Sequence, residues 1–547
     1  MTELNYATIW EAIADANPSR EALVHGSTRR TWREFDDRAA RIANALLDSG
    51  LKRGSKVAQL LYNCTEFAEV YFATIKIRAA PFSVNYRYVG AEIKYLLDNA
   101  DAEALVYHAS LRDRVVDLLP NVKSLKIAIE VDDSGHAVGS LVPHGVHAYN
   151  EVVSDFDPAE RIVRDGSDVT ISYTGGTTGM PKGVTIPMGP AIEELMGAVP
   201  LLFGDSPVTS VDELLRRASD VSAEEDRYTV IPASPVIHNA AVGMAMNPAL
   251  LFGGKAVMLS SRSFDAAELW DVASAEKTRG IVIVGDAFAR PMLKALDASD
   301  HRDLSSLAMI ASTGAMFAAE VKGAILEHLP KVMIADVISA TEGAMGAAIS
   351  VKEAQMPTGS FLPYPGVIVI SDEDHEVKPG SDEIGRIALP SGGQTYYRDE
   401  AKTAETFRVL NGRRYSIPGD YARVLKSGVI ELLGRGSSCV NTAGEKVYPE
   451  EVEEVIKRFD GIEDCLVFGV ADERLGQRLS AVYSVAPEVE TIDLDALDEF
   501  LRSHLAGYKV PRVMKHVGVV PRVATGKADY PEAKRLYEAS VGASPKP

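Results

Sequence analysis

Residues 173–184 hold the densest group of side chains in this chain that could do chemistry. They read Tyr-Thr-Gly-Gly-Thr-Thr-Gly-Met-Pro-Lys-Gly-Val and follow an apolar run, Val169 to Ser172, typical of a strand end. Glycines let backbone N–H groups approach an oxyanion, threonines add hydroxyl donors, and Lys182 adds a mobile positive charge. These features predict a triphosphate-binding loop. An ordinary turn would not need the hydroxyls and the lysine, and Gly183 after Lys182 excludes a Walker A loop.

Three further segments place charged side chains beside turn-forming residues. Glu342 follows the predicted strand Val332 to Ala335 by a few residues, and a carboxylate just past a strand is a natural ligand for Mg²⁺, which prefers oxygen. Asp420 follows Pro-Gly, and Lys527 follows Thr-Gly near the C-terminus. Each of these alone is better explained as a helix start, a turn or a surface charge. Their order and spacing relative to residues 173–184 favour a shared site.

Together these segments resemble the adenylate-forming superfamily, which contains acyl-CoA synthetases, the adenylation domains of peptide synthetases and luciferases. The resemblance covers nearly the whole chain. It implies a site for ATP and AMP that draws on residues from every segment: Thr174, Gly175, Gly176, Thr177, Thr178, Gly179, Lys182, Gly314, Asp336, Thr341, Asp420, Arg435 and Lys527.

The resemblance also implies individual roles. Lys182, Glu342 and Lys527 are expected to be catalytic, with Lys527 bridging the substrate carboxylate and the α-phosphate. Glu342 and Thr177 are expected to bind Mg²⁺, and Thr341 a phosphate of the nucleotide. By the same similarity Asp420 accepts hydrogen bonds from both ribose hydroxyls, a bidentate role that suits a carboxylate.

The C-terminal segments resemble the mobile part of these enzymes. Arg435 is similar to an arginine that binds ribose or phosphate, and Ser437 stands at the expected hinge residue. Gly444 and Glu445 resemble a turn that lies along the pantetheine of CoA after the small domain rotates. The resemblance therefore implies an N-terminal adenylation domain over residues 1–434, a hinge over 435–438 and a mobile C-terminal domain over 439–547.

Three positions depart from the family pattern. Ile338 and Ser339 stand where the family often has an aromatic residue and a glycine, so we expect an aliphatic contact with adenine. Pro418 replaces a usual threonine. For the acid, His238 matches a family position that lines the acyl tunnel, although a histidine satisfied in the core is the alternative. The segments 284–291 and 441–447 resemble bacterial ligases that act on long-chain acids or sterol side chains.

Composition narrows the class of protein. A chain of 547 residues predicts at least two domains, and a formal net charge of −20 argues against nucleic-acid or membrane-surface binding. The three cysteines have no metal-ligand spacing and are expected to be buried free thiols. No membrane-length apolar stretch and no signal peptide are evident, so we expect a cytoplasmic protein without stable membrane insertion. The family suggests a homodimer.

The elements that must position these residues alternate between strands and helices. Helices are predicted over Arg38 to Leu47 and Phe67 to Ile77, and strands over Val57 to Leu61, Gly280 to Val284 and Ala308 to Ala311. Such alternation predicts an α/β fold with large, mostly parallel sheets layered with helices. A surface helix is expected within Ser206 to Arg227, a linker over 433–438, and then a small α+β domain.

The sequence therefore predicts a ligase that joins an apolar carboxylic acid to CoA through an acyl-adenylate, with ATP and Mg²⁺. Such a reaction belongs to fatty-acid and lipid metabolism. An acyl-AMP ligase that loads a separate carrier protein is an alternative, as is a non-catalytic homologue that binds nucleotide or acyl ligand. A peptide-synthetase adenylation domain should be followed by a carrier domain, and a luciferase-type oxidation is the least favoured reaction.

Overall fold

Three β-sheets organise the chain, with helices packed between and around them. The computed structural model describes residues 4–88, 90–133, 145–174, 181–220, 227–298, 302–315, 317–435, 440–442, 445–447, 449–472, 476–505, 507–523 and 528–542. No helix in these ranges is long and apolar enough to cross a membrane.

The helices lie mostly on the faces of the sheets. In chain order they are α1 (Tyr6–Ala16), α2 (Trp32–Asp48), α3 (Thr65–Lys76), α4 (Gly90–Ala100), α5 (Tyr149–Asp155), α6 (Met188–Leu202), α7 (Val211–Asp220), α8 (Asn239–Ala241), α9 (Asn247–Leu251), α10 (Ala266–Ala275), α11 (Asp286–Asp297), α12 (Ala319–His328), α13 (Glu400–Thr406), α14 (Pro449–Lys457), α15 (Leu494–His504) and α16 (Tyr530–Gly542). Shorter 3₁₀ turns cover Ala109–Arg114, Leu119–Asn121 and Gly507–Lys509, and a π-turn, Val242–Met246, joins α8 to α9.

The strands of the N-terminal half are β1 (Glu21–His25), β2 (Thr28–Thr31), β3 (Lys56–Leu60), β4 (Ala80–Ser83), β5 (Ala102–His108), β6 (Ile127–Val131), β7 (Val146–Ala148), β8 (Val169–Thr174), β9 (Lys182–Pro187), β10 (Thr229–Pro232), β11 (Lys255–Met258) and β12 (Gly280–Ile283). Those that follow are β13 (Met309–Thr313), β14 (Met333–Ala340), β15 (Gly343–Ser350), β16 (Ser360–Pro363), β17 (Ile368–Ile370), β18 (Ile384–Pro390), β19 (Thr395–Tyr396), β20 (Phe407–Leu410), β21 (Arg413–Ser416), β22 (Asp420–Val424), β23 (Ile430–Arg435), β24 (Val440–Thr442), β25 (Glu445–Val447), β26 (Ile462–Asp472), β27 (Gly476–Val485) and β28 (Val513–His516).

The first sheet has fifteen strands and changes character at β14. Its order is β2-β1-β11-β10-β12-β13-β14-β15-β16-β23-β22-β18-β21-β20, with β17 paired to β18. From β1 to β14 the neighbours are parallel, and from β14 onward they are antiparallel. The parallel strands are almost fully buried because helices cover them, which is the usual state of a parallel sheet.

The second and third sheets complete the architecture. The second has eight strands in the order β19-β9-β8-β4-β3-β5-β6-β7. A single large apolar cluster joins α1, α2, α3 and α6 to the inner faces of the first two sheets. The third sheet, β25-β24-β27-β26 with β28 beside β27, packs with α14 to α16 into a small α+β unit with its own apolar core. The predicted fold class is thus confirmed.

Most predicted elements are present, with bounds that differ by a few residues. The helix predicted from Arg38 begins six residues earlier in α2, because Thr31 and Glu34 form a reciprocal capping box there. The expected surface helix is α7, and two of the cysteines, Cys64 and Cys465, are buried free thiols, while Cys439 lies outside the described residues.

Two sequence-based expectations on local structure were wrong. Leu433, Gly434 and Arg435 end the strand β23 and are not part of a linker, because their backbones pair with β22. The strand β14 runs on to Ala340, so Asp336 and Ile338 lie inside it and not in a loop beyond it.

Candidate active site

One large cavity lies between the first two sheets and α6. Its volume is about 2520 Å³, well above the range of about 300–1,000 Å³ that is usual for a pocket holding one small molecule. Its wall contains Thr341, Glu342 and Lys182 as well as many apolar residues of α6, β13 and β14. A cavity of this size and mixed lining can hold a large polar ligand and an apolar one together.

The polar end of the cavity is built from strand ends. Gly314 directly follows β13 and has a φ of 81°, a conformation that favours glycine. Thr341 and Glu342 form the turn of the hairpin between β14 and β15, and Lys182 is the first residue of β9. Pro418 and Gly419 line the same end just before β22. Side chains at the carboxyl ends of neighbouring strands converge because those ends share one edge of the sheet.

Glu342 is held in a defined position within this end. Its side chain is buried, and its Oε1 accepts a hydrogen bond from the hydroxyl of Tyr396 in β19. The next residue, Gly343, has a φ of 148°, and a Cβ there would lie 2.7 Å from Cδ1 of Leu389. The hairpin therefore needs a glycine immediately after the carboxylate. A fixed carboxylate oxygen in the wall fits a hard cation such as Mg²⁺, which takes oxygen ligands.

Lys182 makes an ion pair across the second sheet. Its Nζ lies 2.6 Å from Oδ2 of Asp399, which caps α13. The hydrogen bond from Lys182 lowers the pKa of the Asp399 carboxyl below its usual range. About half of the Lys182 side chain is exposed, so the ammonium can leave this partner for an anion that enters the cavity. Thr174, at the end of β8, pairs with Lys182 through the backbone.

Asp420 and Arg435 are brought together by the register of two strands. They are directly opposite each other on β22 and β23, although fifteen residues separate them in sequence. Asp420 is 8% exposed and lies between Gly419 and Tyr421, both of which line the cavity. The strand pairing thus carries two of the predicted nucleotide-binding residues to one place.

Asp336 and Ile338 do not line the cavity. Side chains alternate along a strand, and Val337 and Ser339 are the β14 residues that face the cavity here. The Asp336 carboxylate instead lies 3.5 Å from Nζ of the buried Lys322, and burial raises the pKa of Asp336 to about 6. Ile338 packs in an apolar cluster with β15 to β18. This placement does not support the expected contacts of Asp336 and Ile338 with the nucleotide.

A second, apolar arm of the cavity runs along the sides of strands. Met309, Ala311 and Thr313 alternate along β13 and all face it. On β14 the lining residues run from Met333 to Ala340, which adjoins Thr341 at the polar end, and this separation of seven residues corresponds to about 23 Å along the cavity. His238 lies in the wall between β10 and α8, as expected for a residue of an acyl tunnel. The apolar wall formed by β13 and β14 therefore continues from the polar end into the cavity.

The small C-terminal unit contributes to the wall on the polar side. Phe468, Gln477, Tyr530 and Lys534 are among the cavity-lining residues. Glu445 lies in β25 opposite Thr442. The predicted site residues Gly175, Gly176, Thr177, Thr178, Gly179, Ser437, Gly444 and Lys527 lie outside the described residues.

Several residues of the cavity were missed by the sequence analysis. Tyr396 and Asp399 hold Glu342 and Lys182 from more than fifty residues away in sequence. At the deep end of the apolar arm Tyr6, Tyr71 and Asn247 bring polar groups into the wall. Tyr6, Tyr71 and Asn247 lie in no glycine-rich or charged motif, and although Asp399 stands between Arg398 and Glu400, nothing in the local sequence connects it with Lys182.

The sequence and the fold of the chain are similar to those of known proteins. The chain matches the family described as AMP-binding enzyme over residues 10–394, and the AMP-binding enzyme C-terminal domain over residues 451–527. It is 38% identical over 550 residues to a medium/long-chain-fatty-acid–CoA/3-oxocholest-4-en-26-oate–CoA ligase of Mycobacterium marinum, covering 98% of this chain and 97% of that one.

Two further proteins extend the comparison. A 3-oxocholest-4-en-26-oate–CoA ligase of Rhodococcus rhodochrous is 38% identical over 546 residues, covering 97% of this chain and 95% of the relative. Among solved structures, an anthranilate CoA ligase in complex with anthranoyl-AMP has a TM-score of 0.81 at 20% identity and covers 99% of both chains. At 20% identity, the likeness to the anthranilate CoA ligase supports the fold alone.

Proposed function

Because the chain belongs to the family of AMP-binding enzymes, we propose that it is an acyl-CoA ligase that activates an apolar carboxylic acid. The observation that carries the proposal is the single cavity with two different arms. Its polar end offers Lys182, Glu342 and Thr341 at strand ends, and from that end β14 lines the cavity over about 23 Å with apolar residues such as Val337 and Met333. One cavity can therefore hold a nucleotide and an apolar acid with their reacting groups in contact.

The reaction has two steps in this proposal. An oxygen of the substrate carboxylate forms a bond to the α-phosphorus of ATP, the α–β phosphoanhydride bond breaks, and pyrophosphate leaves. The CoA thiol then loses its proton, its sulfur bonds to the carbonyl carbon of the acyl-adenylate, and AMP leaves. No protein nucleophile is needed, since the adenylate is itself the activated intermediate. The protein contributes positioning and neutralisation of charge.

We assign roles in these steps to residues at the polar end. Residues 174–179, Gly314 and Thr341 contact the phosphates, and Lys182 exchanges Asp399 for a phosphate oxygen. Asp420 and Arg435 bind the ribose and the α-phosphate. Lys527 bridges the two reacting anions. The support is the convergence of Gly314, Thr341, Glu342 and Lys182 on one cavity and the pairing of Asp420 with Arg435.

Glu342 is the residue that fits Mg²⁺, with Thr177 as a second oxygen ligand. The carboxylate is buried, lines the cavity and is oriented by Tyr396, which leaves carboxylate lone pairs for a cation. A bound Mg²⁺ would neutralise charge on the phosphate oxygens.

We further propose that the C-terminal unit moves between the two steps. The segment 435–438, which begins at the last residue of β23, is the hinge, with Ser437 as its pivot, so that the unit spanning 439–547 presents Lys527 first and Gly444 with Glu445 second. The presence of Phe468, Gln477 and Lys534 in the cavity wall supports contact between this unit and the polar end.

The acid is a medium-chain, long-chain or steroid side-chain acid in this proposal. The relatives in Mycobacterium marinum and Rhodococcus rhodochrous carry such substrates in their names and share 38% of their residues with this chain. The length and apolar lining of the second arm are consistent with these acids and exceed what a short acid needs.

The test is release of AMP and pyrophosphate from ATP with a panel of short, long, aryl and steroid acids, each with and without CoA. CoA-dependent turnover on the long or steroid acids is expected. Pyrophosphate exchange that CoA does not accelerate would instead identify an acyl-AMP ligase that serves a separate carrier protein. If no acid of the panel gave release of AMP and pyrophosphate, with or without CoA, the proposal would be overturned.

A further inference from the structure

Three buried polar side chains interrupt the apolar arm of the cavity. Gln59 of β3, Tyr71 of α3 and Asn247 of α9 all line it, and each is at least 95% buried. We refer to them as the deep polar cluster. They come from three elements that are distant in sequence, and none belongs to the segments that bind nucleotide.

Gln59 presents an acceptor without a partner. Its Nε2 donates a hydrogen bond of 2.8 Å to the backbone oxygen of Phe67. Because the backbone oxygen of Phe67 can only accept, the Gln59 nitrogen must face it, and this bond sets the orientation of the Gln59 amide. The other atom, Oε1, is buried and has no hydrogen-bond partner among the described residues. A ligand that donates a hydrogen bond to this buried oxygen would satisfy it.

Asn247 presents a second acceptor beside it. Its Nδ2 donates to the hydroxyl of Tyr71 at 3.2 Å, and its Oδ1 is also buried without a partner in the described part of the chain. Phe67 and Tyr71 are one turn apart on α3, so the Gln59 amide and the Tyr71 hydroxyl follow the same side of that helix. Both side chains with an unpaired oxygen are therefore linked to α3 and line the same cavity.

The tyrosine adds a donor to the two acceptors. The Tyr71 hydroxyl accepts the bond from Asn247, which leaves its own proton to be given to a ligand. Burial raises the pKa of Tyr71 to about 12, so that proton is retained at neutral pH. A hydroxyl is the simplest group that can accept from Tyr71 and at the same time donate to one of the two amide oxygens. A ketone oxygen accepts only and leaves both amide oxygens unpaired.

We propose that the deep polar cluster binds a hydroxyl group that the substrate acid carries far from its carboxylate. This inference rests on the proposed function and adds to it the chemical class of the acid: an otherwise apolar acid with a distal hydroxyl. Buried polar groups left unpaired penalise a ligand that lacks the matching group, which is the strongest form of discrimination available to such a cavity.

The test compares ω-hydroxy fatty acids with plain fatty acids of the same length, from ten to eighteen carbons. The quantity is the ratio of kcat/KM for CoA-dependent turnover, hydroxy acid over plain acid, at each length. We expect the ratio to pass through a maximum of about tenfold or more at the length that brings the hydroxyl to the cluster. A matched pair of sterol side-chain acids, one with a ring hydroxyl and one with a ring ketone, should favour the hydroxyl.

Two variants and a control test whether the deep polar cluster causes this preference for the hydroxy acid. Asn247→Leu keeps the approximate size and removes the polar group, and it should lower the maximal ratio to about 1. Gln59→Met is the second variant, with the same expectation if Asn247→Leu does not fold. Asn121→Leu, the same type of change at an exposed residue outside the cavity, should keep the maximum.

The outcomes separate the two proposals. A ratio near 1 at every length, with good turnover of plain acids, would overturn the distal-hydroxyl inference and leave the proposed function standing. A preference for the ketone of the sterol pair, or a maximum that survives both variants, would also overturn it. Lack of CoA-dependent turnover with any acid would instead overturn the proposed function.

Discussion

The polar end of the cavity, where we propose that the nucleotide binds, is walled by strand ends and hairpin turns. The apolar arm, where we propose that the acyl group binds, is walled by the sides of strands and helices. We call these two regions the nucleotide end and the acyl arm. At the first, consecutive residues such as Thr341 and Glu342 face the cavity together. Along the second, alternate residues such as Met309 and Ala311 do so. A site at strand ends is therefore formed by short sequence motifs, whereas a site along strand sides is formed by residues that are distant in sequence.

The two ends also differ in how their polar groups are satisfied. Glu342 and Lys182 each have a protein partner, Tyr396 and Asp399, that a charged ligand can replace or share. In the acyl arm the polar atoms of Gln59 and Asn247 are buried, and their amide oxygens have no partner among the described residues. Changes at the nucleotide end should therefore affect chemistry with every acid, and changes in the acyl arm should affect the choice of acid.

The largest effect is expected from Lys527→Ala. Loss of the bridging ammonium should slow acyl-adenylate formation on the order of 10³-fold, because the charge that develops between two anions is no longer neutralised. Thioester formation from supplied acyl-adenylate should change only a few-fold. Acid-dependent ATP–pyrophosphate exchange and CoA-dependent consumption of the adenylate measure the two steps. Lys515→Ala, on β28 of the same unit, is the control, and equal losses in both steps would contradict the assignment.

The next effect is expected from Glu342→Gln. The amide keeps the shape and can still contact Tyr396 but loses the negative charge that binds a cation, so adenylation should fall about 10²-fold with all acids. The loss should shrink as Mg²⁺ is raised. Tyr396→Phe should cost less, because it removes only the group that orients the carboxylate. If the two variants were equally impaired and neither responded to Mg²⁺, Glu342 would be a structural residue.

A smaller and more selective effect is expected in the acyl arm. Ala198 lies on the cavity side of α6, and Ala198→Trp should fill part of the arm. The KM for the longest acids should rise about tenfold, since the lost space excludes several methylenes, while the KM for ATP stays the same. Ala198→Val should give an intermediate shift. A uniform loss over all acid lengths would show that the change disturbed the nucleotide end as well.

The smallest effect is expected from pH at Glu194, which also faces this arm. Although much of its side chain is accessible within the cavity, the surrounding protein desolvates the carboxyl and raises its pKa. Desolvation favours the neutral form, so the acyl group binds best below this raised pKa and more weakly as rising pH ionises the carboxyl. If binding of the acyl group raises the pKa of Glu194 by a further half unit, the affinity for the acid differs by about threefold between low and high pH.

The measurement is the KM of a long plain acid between pH 5.5 and 8.5, compared with Glu194→Gln. The wild-type KM should rise with pH, and the variant should lack this trend because glutamine does not ionise. The KM for ATP, measured in parallel, reports the nucleotide end. A pH trend that persists in Glu194→Gln would assign it to another group.

Much of the nucleotide end could be predicted from the sequence because its residues are local. Glu342 follows β14 within two residues, Gly314 follows β13 directly, and Lys182 begins β9. The strands β8, β13 and β14 were predicted from apolar runs, and the polar residues follow them closely in sequence, whereas β9 was not predicted. The error at Asp336 has the same origin: the sequence indicated the strand but not its full length, so a residue inside β14 was expected beyond it.

The acyl arm could be predicted only in part. His238 was expected there through the resemblance, and it does line the cavity. Tyr6, Tyr71 and Asn247 were not expected. The sequence of an apolar helix does not indicate whether an aromatic or amide side chain in it faces a cavity or the core. Their meeting depends on how α1, α3 and α9 pack against one another in the large apolar cluster.

The sequence by itself determined the class of chemistry, the α/β fold and the order of the elements. These follow from local rules: periodicity of apolar residues, glycines where phosphates approach, and charged residues at strand ends. The tertiary structure alone decided which face of β14 meets the cavity, which partners hold Lys182 and Glu342, and where buried amide oxygens interrupt the acyl arm. The reason is physical, since those features depend on contacts between residues that lie from about fifty to more than two hundred positions apart, and such contacts exist only after the sheets have packed.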